Sequence, residues 1–182
     1  MTVRGFTLIE LIITTAILAV LFSVGIPSFR GMLENHQAKT SLSVLRKTLH
    51  QARTIALEQM RAIIVCPILN NNCVNDWGQP LAVFSDINNN YQLDSNESLH
   101  LKLSNEDPHG YWQKKRASQN YIRFNSRGHA FSPATTFLYC PNSGKTSYAK
   151  QLIINFQGRI RTDTYLDNLG TPLPNVHPLS CS

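Results

Sequence analysis

The stretch MTVRGFTLIELIITTAILAVLFSVGIP occupies residues 1–27 of a chain of 182 residues. No charged side chain occurs from Leu11 to Ile26, and most of these residues are large and apolar. With residues 6–8 the run approaches the roughly 20 residues that a helix needs to span a bilayer. The stretch therefore predicts a helix whose first half, residues 6–27, crosses a membrane.

Two common N-terminal segments explain this run less well. A secretory signal peptide has basic residues, an apolar run and then a small-residue cleavage site. Here Arg4 is the sole basic residue before the run, and residues 27–30 lead straight into another helical pattern. A plain signal anchor leaves Glu10 as a chance charge, although a carboxylate inside an apolar segment is costly and usually has a partner or a function.

Glu10 lies one helical turn after Phe6. If the chain is cut between Gly5 and Phe6, the new α-amino group is positive and can pair with Glu10 of a neighbouring subunit. Residues 1–30 resemble the type IV prepilin signature, in which a short basic leader ends in Gly and Phe-Thr-Leu-Ile-Glu opens an apolar helix. The resemblance implies that a prepilin peptidase removes residues 1–5, cutting after Gly5, and methylates the amine of Phe6.

The same resemblance implies a place in the cell. Glu10 is expected to guide assembly with other pilin subunits. The protein is expected in the inner membrane, with one span and a periplasmic domain, and then in a pilus at the cell surface.

After the apolar run the periodicity predicts a second half-helix and then a sheet. Apolar residues recur at steps of three or four within residues 28–61, which marks one buried helix face: Leu42, Leu45, Leu49, Ala52 and Ala56. From 62 to 162 short apolar runs are separated by Asn-, Gly- and Pro-rich pieces. These runs predict strands at 62–69, 80–86, 98–103, 120–125, 129–131, 136–140, 151–156 and 159–162.

Two hairpins are predicted in the last part of the sheet. One turns near residues 126–128 and the other at Gln157-Gly158. A long helix followed by a β-rich domain with these hairpins resembles the GspH/FimT family of minor pilins and pseudopilins. The resemblance implies an α+β pilin fold, with the helix packed on an antiparallel sheet inside a globular domain of residues 28–182. Residues 163–182 are predicted to form a surface loop.

The four cysteines are Cys66, Cys73, Cys140 and Cys181. An even count favours two disulfides if the domain lies outside the cytoplasm, and three pairings are possible. We expect the local pairing, Cys66–Cys73 with Cys140–Cys181, which closes a short loop and ties the tail to a strand. The spacings fit neither a zinc site nor a redox pair.

The net charge of +6 is carried by the second half of the chain. Residues 1–101 hold seven basic and seven acidic side chains, whereas residues 102–182 hold ten basic and four acidic ones. This asymmetry favours a surface that faces a polyanion, with ordinary surface scatter as the alternative. The basic run 114–116 is predicted to be a solvated loop, with a wider basic patch as the alternative.

Gly158-Arg159-Ile160-Arg161 is the candidate binding motif. On a strand, side chains two apart project from one face, about 6.6 Å apart, so both arginines would face solvent while Ile160 faces the core. Planar guanidinium groups suit phosphate oxygens, and contacts to phosphates carry no sequence information. FimT-like minor pilins carry such a GRxR motif, and the resemblance implies sequence-independent DNA binding during natural transformation. The alternative is that Gly-Arg simply makes the turn.

Further cations are weaker candidates for the same surface, namely Lys145 and Lys150. The leading interpretation is a DNA-binding minor pilin, and the alternatives are a GspH-like pseudopilin of a type II secretion filament or a pilus-priming pilin without DNA binding. The residues offer no Ser-His-Asp or Cys-His set, so neither catalysis nor a cofactor is expected.

One acidic, Asn-rich stretch matches the ligand spacing of an EF-hand calcium loop at positions 1, 3, 5, 9 and 12: Asp86, Asn88, Asn90, Asp94 and Glu97. Tyr91 stands at the sixth position, where the motif has Gly, and the flanks read as strands. An Asx-rich connection between strands is therefore preferred to a metal site.

Overall fold

In a computed structural model of the protein the described residues are 7–104, 107–115, 118–131, 134–164 and 181, without the side chains of 24–28 and 163–164. The expected cleavage point at Gly5 and Phe6, residue 116 of the basic run, and the tail from 165 to 180 lie outside the described residues. The chain divides into two compact units, residues 1–36 and 37–182.

The helix α1 runs from Leu8 to Gln59, and its first part belongs to the first unit. Thr7 and Glu10 cap its start reciprocally, because each backbone N–H donates to the other side chain at 3.4 Å. This is a capping box, which satisfies two of the free N–H groups at a helix start. Large apolar side chains of this part are exposed, including Leu8 at 78% and Val20 at 66%. Within the described residues, no helix combines the length and apolar character needed to cross a membrane.

In the second unit, the last turns of α1 bury the apolar face that the sequence predicts. Leu45, Leu49, Ala52 and Ala56 are at most 1% exposed, and Leu42 is packed against them while partly buried. The helix ends where Met60 takes a positive φ of 51°, a left-handed conformation that stops helical hydrogen bonding.

Within the described residues nine strands follow, and all their pairings are antiparallel. Their bounds are β1 Ile63–Leu69, β2 Asn72–Cys73, β3 Leu81–Ser85, β4 Leu99–Leu103, β5 Gly110–Lys115, β6 Ile122–Phe124, β7 Thr135–Pro141, β8 Lys150–Ile154 and β9 Ile160–Thr164. One sheet has the order β2-β1-β3-β4, with β6 also paired to β1, and the other has the order β5-β7-β8-β9. A 3₁₀ turn at Thr146–Tyr148 precedes β8.

Both sheets contribute to one core against α1. Trp77, Val83 and Phe137 are buried there with the helix residues, and the Trp77 and Phe137 rings meet edge to face at 4.4 Å. The predicted α+β pilin fold is thus confirmed. Both disulfides also form as expected, Cys66–Cys73 and Cys140–Cys181.

The sheets differ from the predictions at three places. The run 129–131 forms only an isolated bridge, between Phe124 and Ala130. Strand β2 was not predicted, because two residues carry no periodicity. The basic run 114–116 was predicted to be a loop, but Lys114 and Lys115 end β5 and pair with β7.

The burial of Lys114 explains why the loop prediction for residues 114–116 was wrong. Its Nζ is buried without a hydrogen-bond partner and lies 5.7 Å from the centre of the Trp77 ring. Burial lowers the pKa of Lys114 to about 8. A long aliphatic stem can lie in a sheet wherever its strand passes a large apolar ring.

Candidate functional site

Two hairpin turns of the same construction end β6 and β8, namely Asn125–His129 and Asn155–Arg159. In each turn the glycine N–H donates to the asparagine carbonyl oxygen, at 2.8 and 2.9 Å, and the asparagine N–H donates to the carbonyl oxygen of the fifth residue, at 3.0 and 3.2 Å. The asparagine Oδ1 accepts the N–H of the fifth residue, at 3.0 and 2.8 Å. The asparagine side chain therefore holds both turns closed.

The two turns pack glycine against glycine. Gly128 and Gly158 have positive φ values of 71° and 73°, which L side chains rarely adopt. A Cβ on Gly158 would collide with the backbone carbonyl oxygen of Gly128. Glycine is therefore required at position 158 both by its φ and by the close approach of another backbone.

Arg53 of α1 packs against both of these turns. Its Nη1 donates to the Gly158 carbonyl oxygen at 3.1 Å. A Cβ on Gly128 or Gly158 would lie 3.1 or 3.2 Å from the Arg53 Nε, so the guanidinium is packed against both glycines. The helix thus fixes where the second turn lies.

The arginines of the predicted motif alternate with the core. Arg159 is exposed at the end of the turn, Ile160 is 7% exposed and opens β9, and Arg161 is exposed on that strand. The backbone N–H of Arg159 donates to Asn155 Oδ1, and the side chain of Arg159 is exposed. The predicted alternation is confirmed, and two arginine side chains are exposed beside the turn.

The structure adds residues that the sequence reasoning did not select. Arg127 is exposed in the first turn, and the packing of the two glycines brings that turn beside Arg159. Phe131 and Phe156 are 60% and 58% exposed, with ring centres 6.3 Å apart. The guanidinium of Arg123 lies 5.9 Å from the Phe131 ring. The contacts between the two turns reveal this grouping, and no local sequence pattern signals it.

Lys145 and Lys150 do not join this surface. Lys150 opens β8 and pairs with Thr164, so it lies at the opposite end of the β8–β9 hairpin from Arg159. It is only 7% exposed, and burial together with Lys39 lowers the pKa of Lys150. Lys145 is exposed before the 3₁₀ turn at that same far end, 6.0 Å from the Tyr148 ring. Both lysines are close to the motif in sequence but not in space, because the length of β8 separates them from the turn.

The Asn-rich stretch 86–97 connects β3 and β4, as the preferred interpretation of the sequence expects. It is closed by its own side chains. Asn88 and Asn90 both donate their Nδ2 to Asp94 Oδ2 at 2.8 Å. Glu97 accepts the N–H groups of Ile87 and Asp94, at 2.7 and 3.2 Å. Across the described part of the chain, no three His, Cys, Asp or Glu side chains are grouped as a metal site.

Two family profiles match this chain. The prokaryotic N-terminal methylation motif matches residues 1–26, and the profile described as type II transport protein GspH matches residues 43–158. No curated protein sequence gives a significant match.

Solved structures of pilin-like proteins share the fold. The type IV minor pilin FimU of Pseudomonas aeruginosa is 24% identical, with 72% of this chain and 92% of that chain covered at a TM-score of 0.56. The minor pseudopilin EpsH from the Type 2 Secretion System of Vibrio cholerae is 12% identical, with 70% and 97% covered at a TM-score of 0.51.

The methylation motif at residues 1–26 implies processing by a peptidase and assembly with other pilin subunits. The GspH profile spans more than half of the chain and includes Arg53 and the paired turns up to Gly158. The chain therefore belongs to the GspH family of pilin-like proteins, and it carries the N-terminal methylation motif of that class.

Proposed function

We propose that this chain is a minor type IV pilin of the FimT-like kind, which binds DNA without sequence preference and supports its uptake in natural transformation. The observation that carries the proposal is the exposure of Arg159 and Arg161 on either side of buried Ile160. Both lie beside a turn that Arg53 and Gly128 fix from behind.

Phosphate binding follows from this chemistry. Each guanidinium offers a planar fork of N–H donors that matches two phosphate oxygens and stays charged at any physiological pH. Arg127 adds a third exposed cation from the neighbouring turn. Because the motif contacts phosphates rather than base edges, affinity should fall steeply with salt and vary little with sequence.

The anchoring of the protein is part of the proposal. We propose that residues 6–27 hold the precursor in the inner membrane with the globular domain in the periplasm. After cleavage at Gly5, the methylated Phe6 and the carboxylate of Glu10 would let the subunit enter a pilus that reaches the cell surface. The exposed apolar side chains from Leu8 to Phe22 support this, because such a surface needs lipid or other helices around it.

A second candidate is a structural subunit without DNA binding, either a pseudopilin of a type II secretion filament or a pilin that primes pilus assembly. The contact between Gly128 and Gly158 favours it, since this packing alone accounts for the glycine of the motif. The arginines would then be ordinary surface residues.

The binding test uses the full-length protein in detergent and a fluorescent DNA duplex in 50 mM salt. Replacing both Arg159 and Arg161 by Gln should weaken binding at least tenfold and reduce the slope of log affinity against log salt by about 2, one for each phosphate contact. Lys145→Gln is the matched control, because it removes an exposed cation at the far end of the hairpin. Unchanged affinity in the double variant would exclude the proposed site.

A cellular test then separates the two candidates. The double variant should enter pili normally but lose transformation, whereas loss of filaments with normal DNA binding would favour the structural role.

A further inference from the structure

Residues 86–97, the Asx loop, connect β3 and β4. Its oxygen-bearing side chains stand at positions 1, 3, 5, 9 and 12 of a twelve-residue stretch: Asp86, Asn88, Asn90, Asp94 and Glu97. This is the order in which an EF-hand loop supplies its ligands, with a backbone carbonyl at the seventh position, here Gln92. The proposed DNA-binding function makes no use of these residues.

Tyr91 at the sixth position had counted against a calcium loop, because EF-hands place Gly there for a sharp turn. In the structure Tyr91 adopts the positive φ that the position requires, 60°, and Asn89 does the same at 60°. The Tyr91 ring stacks on Tyr121 at 4.1 Å, which holds the tyrosine in this conformation. The missing glycine therefore does not prevent the turn.

The side chains of the Asx loop converge. Two amide groups, from Asn88 and Asn90, meet the same oxygen of Asp94. Glu97 closes the loop by accepting N–H groups from both ends of it. The uncharged amide groups of Asn88 and Asn90 thus stabilise the Asp94 carboxylate. This carboxylate lies where the ligand set would surround a cation. The Oδ1 atoms of Asn88 and Asn90 accept the backbone N–H groups of Asn90 and Gln92, and each amide oxygen retains a second lone pair for a metal.

Asp86 gives an independent observation that points to a cation. The residue is only 4% exposed, and its Oδ2 is buried with no hydrogen-bond partner. Its other oxygen accepts the N–H of Asn90 at 3.2 Å, so the carboxylate faces into the loop. A buried carboxylate oxygen without a partner is costly, and buried charges are normally paired or bound to metal.

We propose that the Asx loop binds one Ca²⁺ through the side chains at positions 1, 3, 5, 9 and 12 and the carbonyl oxygen of Gln92. Binding exchanges the amide contacts of Asp94 for metal bonds and satisfies the orphan oxygen of Asp86. The three carboxylates are not grouped as a metal site in the described residues, so binding must bring them closer together, with the amide and backbone oxygens completing the coordination. Six or more oxygens, two of them neutral amides, suit Ca²⁺ better than Mg²⁺, which demands a small octahedral shell.

The first measurement is thermal unfolding of the full-length protein in detergent, after treatment with EDTA. Adding Ca²⁺ to 10 mM should raise the Tm by about 5–10 °C if the site has the roughly 10⁻⁴ M affinity of extracellular calcium modules. Mg²⁺ at the same concentration should give a much smaller rise. The absence of a Ca²⁺-dependent rise in the parent protein would overturn the proposal.

Variants localise the effect. Asp86→Asn and Glu97→Gln should each abolish the rise, while Glu58→Gln, which removes an exposed carboxylate of α1, should keep it. A rise of equal size in all three variants would show binding elsewhere and contradict the proposed site.

Terbium gives a direct readout that does not depend on stability. Tb³⁺ in the Asx loop should show luminescence excited through Tyr91, and Ca²⁺ should displace it. Glu97→Gln that remains folded but still gives the parental, Ca²⁺-displaceable signal would also overturn the proposal.

Discussion

Arg53 donates a hydrogen bond of 3.1 Å from Nη1 to the carbonyl oxygen of Gly158, 105 residues further along the chain. The long helix α1 is thereby tied to the turn that carries the basic motif. The position of Arg159 and Arg161 consequently depends on a helix residue that belongs to no recognisable motif.

The first prediction concerns the glycine in this contact. Gly158→Ala should lower the free energy of unfolding by about 2–5 kcal/mol, because the positive φ costs about 1–2 kcal/mol and the collision with Gly128 adds to it. Gly144→Ala is the matched control, since Gly144 has a φ of 72° with nothing within 4 Å of the new Cβ. It should cost only the backbone term. Thermal unfolding of both variants measures the difference, and equal losses would mean that the close packing contributes nothing.

The second prediction concerns Arg127, which the sequence reasoning left aside. If the two turns act together on DNA, Arg127→Gln should weaken binding about threefold to tenfold at low salt and reduce the salt slope by about 1. The protein should remain as stable as the parent, because the side chain is exposed. Fluorescence anisotropy with a DNA duplex measures both quantities. Parental affinity in this variant would restrict the site to the second turn.

Much of the fold could be predicted because it rests on local patterns. The spacing of Leu45, Leu49 and Ala52 predicts a buried helix face, and the structure confirms it. The exposed-buried-exposed order of residues 159–161 follows from the period of a strand. In both cases the information lies within a few neighbouring residues.

What could not be predicted depends on contacts between distant segments. Lys150 was placed near the motif because it is close in sequence, but β8 carries it to the other end of the hairpin. Lys114 was expected in water, but its strand passes Trp77. Gly128 contacts Gly158 only when the two sheets are packed together, so the sequence of either hairpin alone does not predict the contact.

The third prediction compares the two disulfides. They join residues 7 and 41 positions apart, Cys66–Cys73 and Cys140–Cys181 respectively. In the chain-entropy account, opening the longer loop should cost roughly 4 kcal/mol and opening the shorter loop roughly 2 kcal/mol. Paired Ser variants and denaturant unfolding measure this order. A larger loss from the Cys66–Cys73 pair would show that packing around β1 outweighs loop entropy.

The fourth prediction follows from the buried ammonium of Lys114. Burial lowers its pKa from 10.5 to about 8 in the folded protein. Between these two values the unfolded chain holds a proton that the folded chain has released, so stability should rise as the pH rises from about 8 towards 10. Lys114→Met should remove the part of this rise that Lys114 contributes, and its stability relative to the parent should be greatest at pH 7, where the parent buries a charge.

The controls for Lys114 are set by its neighbours. Lys102→Met removes an exposed lysine of β4 and should keep the parental pH profile. Burial lowers the pKa of Lys150 in the parent and in every variant alike. Its effect on stability therefore cancels when a variant is compared with the parent. Measurements should stop near pH 10, because burial and the hydrogen bond to Asp107 raise the pKa of Tyr139, and ionisation of tyrosines in the unfolded chain then lowers stability. A rise of parental size in Lys114→Met would assign it to another group.

The last prediction separates two roles of Glu10. In the described structure it caps α1 together with Thr7, whereas assembly would use its charge on the amine of a neighbouring subunit. Gln preserves a capping box but carries no charge, and Ala preserves neither. If the charge matters, Glu10→Gln and Glu10→Ala should both be missing from sheared filaments, while Thr7→Ala, which weakens the cap but keeps the carboxylate, should be incorporated. Immunoblots of filament and membrane fractions measure this, and normal incorporation of Glu10→Gln would reduce Glu10 to a helix cap.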